Sequence, residues 1–429
     1  MEAGLRQSRE RNSFRLGSKA MDLIVRQAQL AERSSGEFAD VGIQDGRIVA
    51  IEPSLGADCA TYDAAGRLVC GGLVETHIHL DKAHLLDRCP ALPGRNINPV
   101  PYTSAIKPEV SVEDVYTRAE RALRECIIHG TTRIRTQVEV DPKIGMRGFD
   151  AIEKLAGDYR WAADLQICVF PQDGLTNLPG TEELLIQGLR RGASVIGAAP
   201  RYDTDGPEQI RRIFALAREF DVDIDMHLDV GISPEHLDVH LVAELTERYG
   251  LGGRVTVGHM AKLSLLAPDD LAQIARRLAD VGVNVTVLPA TDLFLMGRNH
   301  DHAVPRGVAD ANFLLGHGVN CSLSTNNVLN PSTPYGDCSL IRLANLHANV
   351  LQISQPHELC DCFEMITTRS ARILNATDYG VAVGNPADLV VIDSSSRDRA
   401  VAEIRPPIAA FKRGRQTVNR ELAKLLVPS

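Results

Sequence analysis

The sequence is poor in aromatic residues, 4% with a single tryptophan, and it contains no run of about 18 apolar residues of the kind that crosses a membrane. It has no positively charged, then apolar, then small-residue start, so nothing in it predicts a secretory signal. It has no basic excess: 46 Lys and Arg stand against 55 Asp and Glu, a net charge of −9, which argues against a nucleic-acid partner. It has no Cys-x-x-Cys pair. The nine cysteines, Cys59, Cys70, Cys89, Cys126, Cys168, Cys321, Cys338, Cys360 and Cys362, are scattered, which disfavours a zinc ribbon and reads as reduced thiols in a cytoplasm, several of them buried as small apolar residues. There is no Walker A loop and no intact dinucleotide-binding glycine fingerprint. None of the 13 histidines is followed by x-Glu, which excludes the zinc base-deaminase class built on His-x-Glu and Pro-Cys-x-x-Cys. No internal repeat or low-complexity linker is present.

What remains is ordinary globular material. The 429 residues are 44% hydrophobic and 24% charged, enough for a large core and for two or three domains or one large α/β barrel with attachments. Residues 1–20 are polar and Arg-rich and read as a disordered tail or an over-long start; Glu2 and Glu10 disfavour the alternative of an organelle-targeting peptide. Residues 21–72 carry short apolar pieces, Leu23–Val25, Val41–Ile43, Ile48–Ile51 and Leu68–Val69, with the hairpin dipeptide Asp45-Gly46 between two of them. From residue 73 short apolar runs alternate with helical periodicity. Eight strands are predicted: Gly72–His79, Thr131–Val138, Asp164–Phe170, Val195–Ala199, Asp223–His227, Val255–Gly258, Asn284–Leu288 and Asn320–Leu323. Between them lie amphipathic stretches. In Pro207–Phe220, Ile210, Ile213, Phe214 and Ala217 share one face, and Val112–Ile128 and Pro268–Leu278 behave similarly. The pattern predicts a (β/α)8 TIM-like barrel over residues 73–375. Strand-like Ala387–Asp393 and Ile408–Arg415 return the chain to β structure, so residues 21–72 and 376–429 are expected to form a composite β-sandwich beside the barrel.

The first predicted barrel strand ends in Glu75-Thr76-His77-Ile78-His79-Leu80-Asp81-Lys82. Side chains at i and i+2 of a strand share a face, so His77 and His79 project together at the C-terminal mouth, where barrel enzymes place their sites. Two imidazoles on one face are half of a divalent-metal site. The fifth strand ends in His227 and the sixth in His259, each placed for a third ligand or a general acid/base. Singly, each is compatible with a packed structural histidine; together they bring four histidines to three strand ends.

With these motifs the chain resembles the amidohydrolase superfamily over nearly all of its length after Met21. The resemblance rests on His77-x-His79, His227, His259 and the tail Asp378-Tyr379-Gly380-Val381-Ala382-Val383-Gly384-Asn385-Pro386-Ala387-Asp388-Leu389-Val390-Val391. Within the superfamily it is most similar to the cytosine deaminase-like group and its relative N-isopropylammelide isopropylaminohydrolase, through Val74–Lys82, Phe170-Pro171-Gln172-Asp173-Gly174 and Phe294-Leu295-Met296-Gly297-Arg298. The resemblance implies one divalent ion per chain, Zn²⁺ or Fe²⁺, held by His77, His79 and His227 with a last ligand from strand eight, and attack of an activated water on an sp² ring carbon with loss of an amine. It implies that Gln172 and Lys82 contact the substrate and that His259 assists the attacking water.

Two positions depart from that pattern. The strand-eight aspartate aligns with Asn326, beside Asn327, and the proton-shuttling glutamate after the strand-five histidine aligns with Val230. An amide can coordinate weakly through oxygen but cannot take up water's proton. Replacement bases are His259 first, then Asp229, Lys82 and Asp292; Asp229 and Asp292 are equally compatible with solvated loop carboxylates. Gln137 stands where relatives often carry histidine and is either a substrate contact or a barrel-interior amide. Asn299-His300-Asp301-His302 and Cys360-Asp361-Cys362 carry weaker metal-like composition in a loop and a helix. The expected function is a metal-dependent hydrolase of non-peptide C–N bonds, deaminating or dealkylaminating a small N-heterocycle or cyclic amidine. A ring-opening cyclic amidase, and an impaired barrel serving as a ligand-binding or assembly protein, stay open. The expected partners are a small-molecule substrate and further copies of the chain.

Overall fold

The computed structural model describes residues 21–33, 36–56, 58–89 and 98–426. The tail over residues 1–20 lies outside them. Eight parallel strands, Leu73–Ile78, Thr131–Glu139, Asp164–Phe170, Val195–Ala198, Asp223–Leu228, Val255–His259, Val283–Val287 and Cys321–Leu323, pair in chain order, each within one residue of the strand read from the sequence at either end. The first strand, Leu-Val-Glu-Thr-His-Ile, is buried at every position, as expected where helices cover one face and side chains fill the other.

The barrel closes through backbone that becomes part of the site. The eighth strand stops at Leu323, and the chain beyond it returns to the first strand. The Asn326 N–H donates to the His77 carbonyl at 2.8 Å, and the His79 N–H donates to the Asn326 carbonyl at 2.8 Å. The hydroxyls of Thr76, Ser322 and Ser324 fill the seam behind them, 2.8 and 2.5 Å apart.

The outer helices follow the predicted faces. Helix Gly206–Phe220 buries Ile210, Ile213, Phe214 and Ala217, starts where the Asp205 carboxylate accepts the Glu208 N–H, and stops where Asp221 turns left-handed. Helix Val112–Ile128 is capped by Ser111 and buries Val115, Ala119, Leu123 and Cys126. Among the described residues no helix is long and apolar enough to cross a membrane.

The flanking segments build a second, mostly antiparallel sheet. Leu389–Ile392 pairs with Leu68–Gly71, which joins the C-terminal strands Pro407–Lys412 and Arg415–Asn419 to the N-terminal strands Leu23–Leu30, Phe38–Gln44 and Arg47–Glu52. Strand Ala60–Asp63, which the apolar pattern did not reveal because most of it is exposed, pairs with Leu23–Leu30. Alternation sends successive residues to different cores. Val69, Leu389, Val391 and Phe411 join the sheet's own cluster, whereas Leu68, Cys70, Val390, Ile392 and Ala410 join the core of the barrel. Asp45 and Gly46 both have positive φ, 49° and 75°, as the predicted hairpin requires.

One buried group outside the site makes folding pH-dependent. His347, in helix Leu340–Leu351, is fully buried, and neither ring nitrogen has a hydrogen-bond partner among the described residues. Burial pushes its pKa down to about 4. The unfolded chain takes up the proton near pH 6.5, the folded chain only near 4, so across that window the unfolded state binds more protons and stability falls as pH falls. Urea unfolding is expected to show His347→Leu gaining about 2 kcal/mol over the parent on going from about pH 7.5 to about pH 5. An unchanged difference between the two proteins would contradict this.

Candidate metal centre

The first strand and its extension carry His77 and His79, and the fifth strand carries His227. All three meet at the C-terminal mouth. The Nε2 atoms of His77 and His227 lie 3.1 Å apart, those of His79 and His227 2.8 Å apart, and the three ligand atoms fall within 4.8 Å of one another. His77 and His79 are buried, and Phe170 stacks on the His227 ring at 4.8 Å and 18°. Burial, with the neighbouring imidazoles and Lys82, holds His79 and His227 well below the ordinary histidine range, so their nitrogens are lone-pair donors at neutral pH. Burial lowers His77 too, opposed by Asp225. Three neutral imidazoles aimed at one point are the donor set a divalent transition metal takes.

Asn326 lines the same cavity as His79 and His227. Its backbone is left-handed at φ 58°, a conformation asparagine tolerates better than most residues, and it is fixed by the closure bonds. Its Oδ1 is buried without a hydrogen-bond partner among the described residues. An orphaned amide oxygen in the cavity that the histidines line fits a cation.

The sixth strand delivers His259, also left-handed at φ 72°. Its Nδ1 lies 2.6 Å from Asp292 Oδ1, and its Nε2 lies 3.4 Å from Asn326 Nδ2. Gly258, before it, gives the His77 ring room: a Cβ there would sit 3.2 Å from His77 Cε1. A cavity of about 270 Å³ opens onto His79, His227, His259 and Asn326, with Lys82, Gln172, Asp229 and Val230 in its wall.

The model of the amidohydrolase family matches residues 94–420. The chain belongs to the amidohydrolase family. It is 28% identical over 427 residues to N-isopropylammelide isopropyl amidohydrolase of Pseudomonas sp. (strain ADP), covering 94% of this chain and 99% of that protein. It is 27% identical over 363 residues to pterin deaminase of Rhizobium rhizogenes (strain K84), covering 83% and 82%. Among solved structures it is similar to 5-methylcytosine deaminase from Klebsiella pneumoniae liganded with 5-fluorocytosine, with a TM-score of 0.89 at 26% identity, covering 94% and 99%. This amidohydrolase is a metal-dependent hydrolase.

The structure places three further residues named from the sequence. Gln137 is fully buried and outside the cavity wall, where the barrel-interior alternative put it, with Nε2 3.2 Å from His77 Nδ1. Asp292 is likewise fully buried and reaches the cavity only through His259. Asp229 faces the cavity, but extended geometry ends there at φ 51°, and its oxygens accept the backbone N–H groups of Asp238 and Val239 at 3.0 and 3.1 Å. Burial pushes its pKa up to about 6, yet it is spent on anchoring the loop before helix Val239–Tyr249.

Lys82 sits where expected, paired with Glu139 and donating to Gln172 Oε1 at 3.1 Å. The amidohydrolase surrounds it with a buried ionic cluster that the sequence reading missed. Lys107 bridges Glu139 at 2.8 Å, Asp141 at 2.6 Å and Asp173 at 3.2 Å. The available signal was carboxylates just beyond strands two and three, on the same rim as the histidines. The cluster pins helix Val100–Ile106 and the turn after it over the mouth, with Ser104 donating to Asp173 at 2.5 Å. Asn299–His302 does not join the site: His302 and Asp301 are 89% and 93% exposed. Cys360-Asp361-Cys362 lies in helix Pro356–Glu364, with the Cys362 side chain turned to Asn312.

Proposed function

We propose that this amidohydrolase releases ammonia or an alkylamine from a small N-heterocycle or cyclic amidine, with one divalent ion, Zn²⁺ or Fe²⁺, held by His77, His79 and His227 and by the amide oxygen of Asn326. The observation that carries the reading is the convergence of three neutral imidazoles, two of them buried and one half-buried, and the His259–Asp292 pair on one cavity. The names and full-length similarity of the relatives support the substrate class. A bound divalent ion supplies Lewis acidity, polarising the reacting centre and making water a nucleophile near neutral pH.

The chain supplies the proton handling. Asp292 accepts the Nδ1 proton of His259, which leaves Nε2 as the lone pair turned to Asn326 and the cavity. His259 takes the proton from the attacking water, and Asp292 stabilises the imidazolium that forms. With valine at position 230 the same imidazolium returns the proton to the leaving nitrogen. Water adds to the ring carbon, the C–N bond breaks, and the amine leaves carrying that proton. Lys82 is a donor only, so Gln172 accepts through Oε1 and keeps its NH2 group for the ligand. Lys82 and Gln172 thus present donors to the acceptor edge of a ring.

The test is to load purified protein with Zn²⁺, Fe²⁺ or Mn²⁺ and to assay ammonia, alkylamine and ring-opened product on pyrimidines, triazines, pterins and lactams. Amine release from a heterocycle is expected. Turnover confined to lactam opening would replace the reading with the cyclic amidase. The impaired-barrel reading draws on Asn326 and Val230: no turnover by the native chain, with turnover gained in Asn326→Asp/Val230→Glu, would favour it.

A further inference from the structure

Asp225 precedes His227 by two residues on the fifth strand, so its side chain shares that face. It is fully buried, and Oδ1 lies 3.1 Å from His77 Nδ1. Its other oxygen accepts from Arg135 Nη1 at 3.1 Å. Arg135, on the second strand, is also fully buried, and its remaining donors reach Gln166 Oε1 at 2.7 Å and the Ile373 carbonyl at 3.0 Å. A guanidinium, a carboxylate and an imidazole therefore run in line through the barrel interior and end at the candidate metal centre.

We propose that Asp225 and Arg135 are positioning residues that set the metal affinity of His77. The inference rests on the reading of His77 as a ligand. An imidazole offers Nε2 to a metal only when its proton sits on Nδ1, and an acceptor at Nδ1 selects that tautomer and fixes the ring plane. Asp225 is that acceptor. Gln137 Nε2 also lies 3.2 Å from Nδ1, but an amide N–H is a donor and cannot accept the Nδ1 proton, so it does not share the role of Asp225. A carboxylate buried this deeply needs a counter-charge, and His77 as a neutral ligand does not provide one. Arg135 does, on the side away from the metal.

The test measures Zn²⁺ affinity by competition with a chromophoric chelator, and the visible spectrum of the Co²⁺-loaded protein, for the parent, Asp225→Asn, Arg135→Met and the double variant. Each single change is expected to weaken Zn²⁺ binding by about 10- to 100-fold and to alter the Co²⁺ bands. The double variant is expected to match the weaker single, because both act on one imidazole. Arg135→Lys, which keeps the charge, covers the case in which Arg135→Met does not fold, and is expected to retain affinity within several-fold of the parent. Lys412→Met is the control for general destabilisation: it breaks a buried ion pair with Asp388, 2.7 Å, in the flanking sheet, and should leave metal affinity unchanged. Parent-like affinity in Asp225→Asn, additive losses in the double variant, or an equal loss in Lys412→Met overturns the proposal. A parent that binds no metal overturns the reading of the histidines, and this inference with it.

Discussion

Replacing His227 with alanine is expected to abolish stoichiometric metal binding and to lower kcat/KM by at least about a thousandfold. His227 is the hinge of the trio: its Nε2 lies 3.1 Å from that of His77 and 2.8 Å from that of His79. Removing it leaves two imidazoles, a pair that binds a divalent ion far more weakly than three. The cation contributes several kcal/mol of transition-state stabilisation, and about 1.4 kcal/mol corresponds to each tenfold in rate, which sets the thousandfold floor. The fold is expected to survive. The barrel closes through backbone bonds at Asn326, His77 and His79, not at His227, and the lost ring faces the cavity on one side and Phe170 on the other. A melting temperature near the parent's, with metal and turnover lost, is the expected pattern. Retained turnover without metal would remove the hydrolytic account.

The second large effect falls on a residue that never touches the substrate. Asp292→Asn keeps the shape of the side chain but removes the charge that faces His259 Nδ1 at 2.6 Å. Without it the imidazolium formed during turnover stands unbalanced in a buried setting. General acid–base catalysis contributes about 100- to 10,000-fold, so kcat is expected to fall within that range. KM should change little, because Asp292 is outside the cavity wall. His259→Ala should fall at least as far, and His259→Ala/Asp292→Asn no further than His259→Ala alone, since the two act as one unit. A kcat for Asp292→Asn within about threefold of the parent would assign water activation to another group.

The sequence disclosed what periodicity controls. The eight barrel strands, the hairpin at Asp45-Gly46 and the apolar face of Gly206–Phe220 all follow from which residues must be buried together. Spacing of two on one strand and placement at strand ends put four histidines at the mouth; the grouping of His227 with His77 and His79 was what the resemblance implied. Partners across the barrel were not legible, because a period gives a face and not the group opposite. Asp225 shares the face of His227, yet only the closed barrel brings it to His77. Spacing likewise left Gln137 open between a substrate contact and an interior amide, and Asp292 between a base and a solvated carboxylate; the closed barrel sets Gln137 beside His77 and Asp292 beside His259. Asp229 reaches the cavity wall, but its bonds to the Asp238 and Val239 N–H groups were not legible, because the chain turns left-handed there. The cluster of Lys82, Lys107, Glu139, Asp141 and Asp173 draws on four separate segments, which no local pattern joins.

Metal analysis of the purified chain by mass spectrometry, before and after loading with Zn²⁺, Fe²⁺ or Mn²⁺ and gel filtration, tests the central claim most directly. About one tightly held divalent ion per chain is the predicted result. A folded, loaded chain that retains none would contradict it.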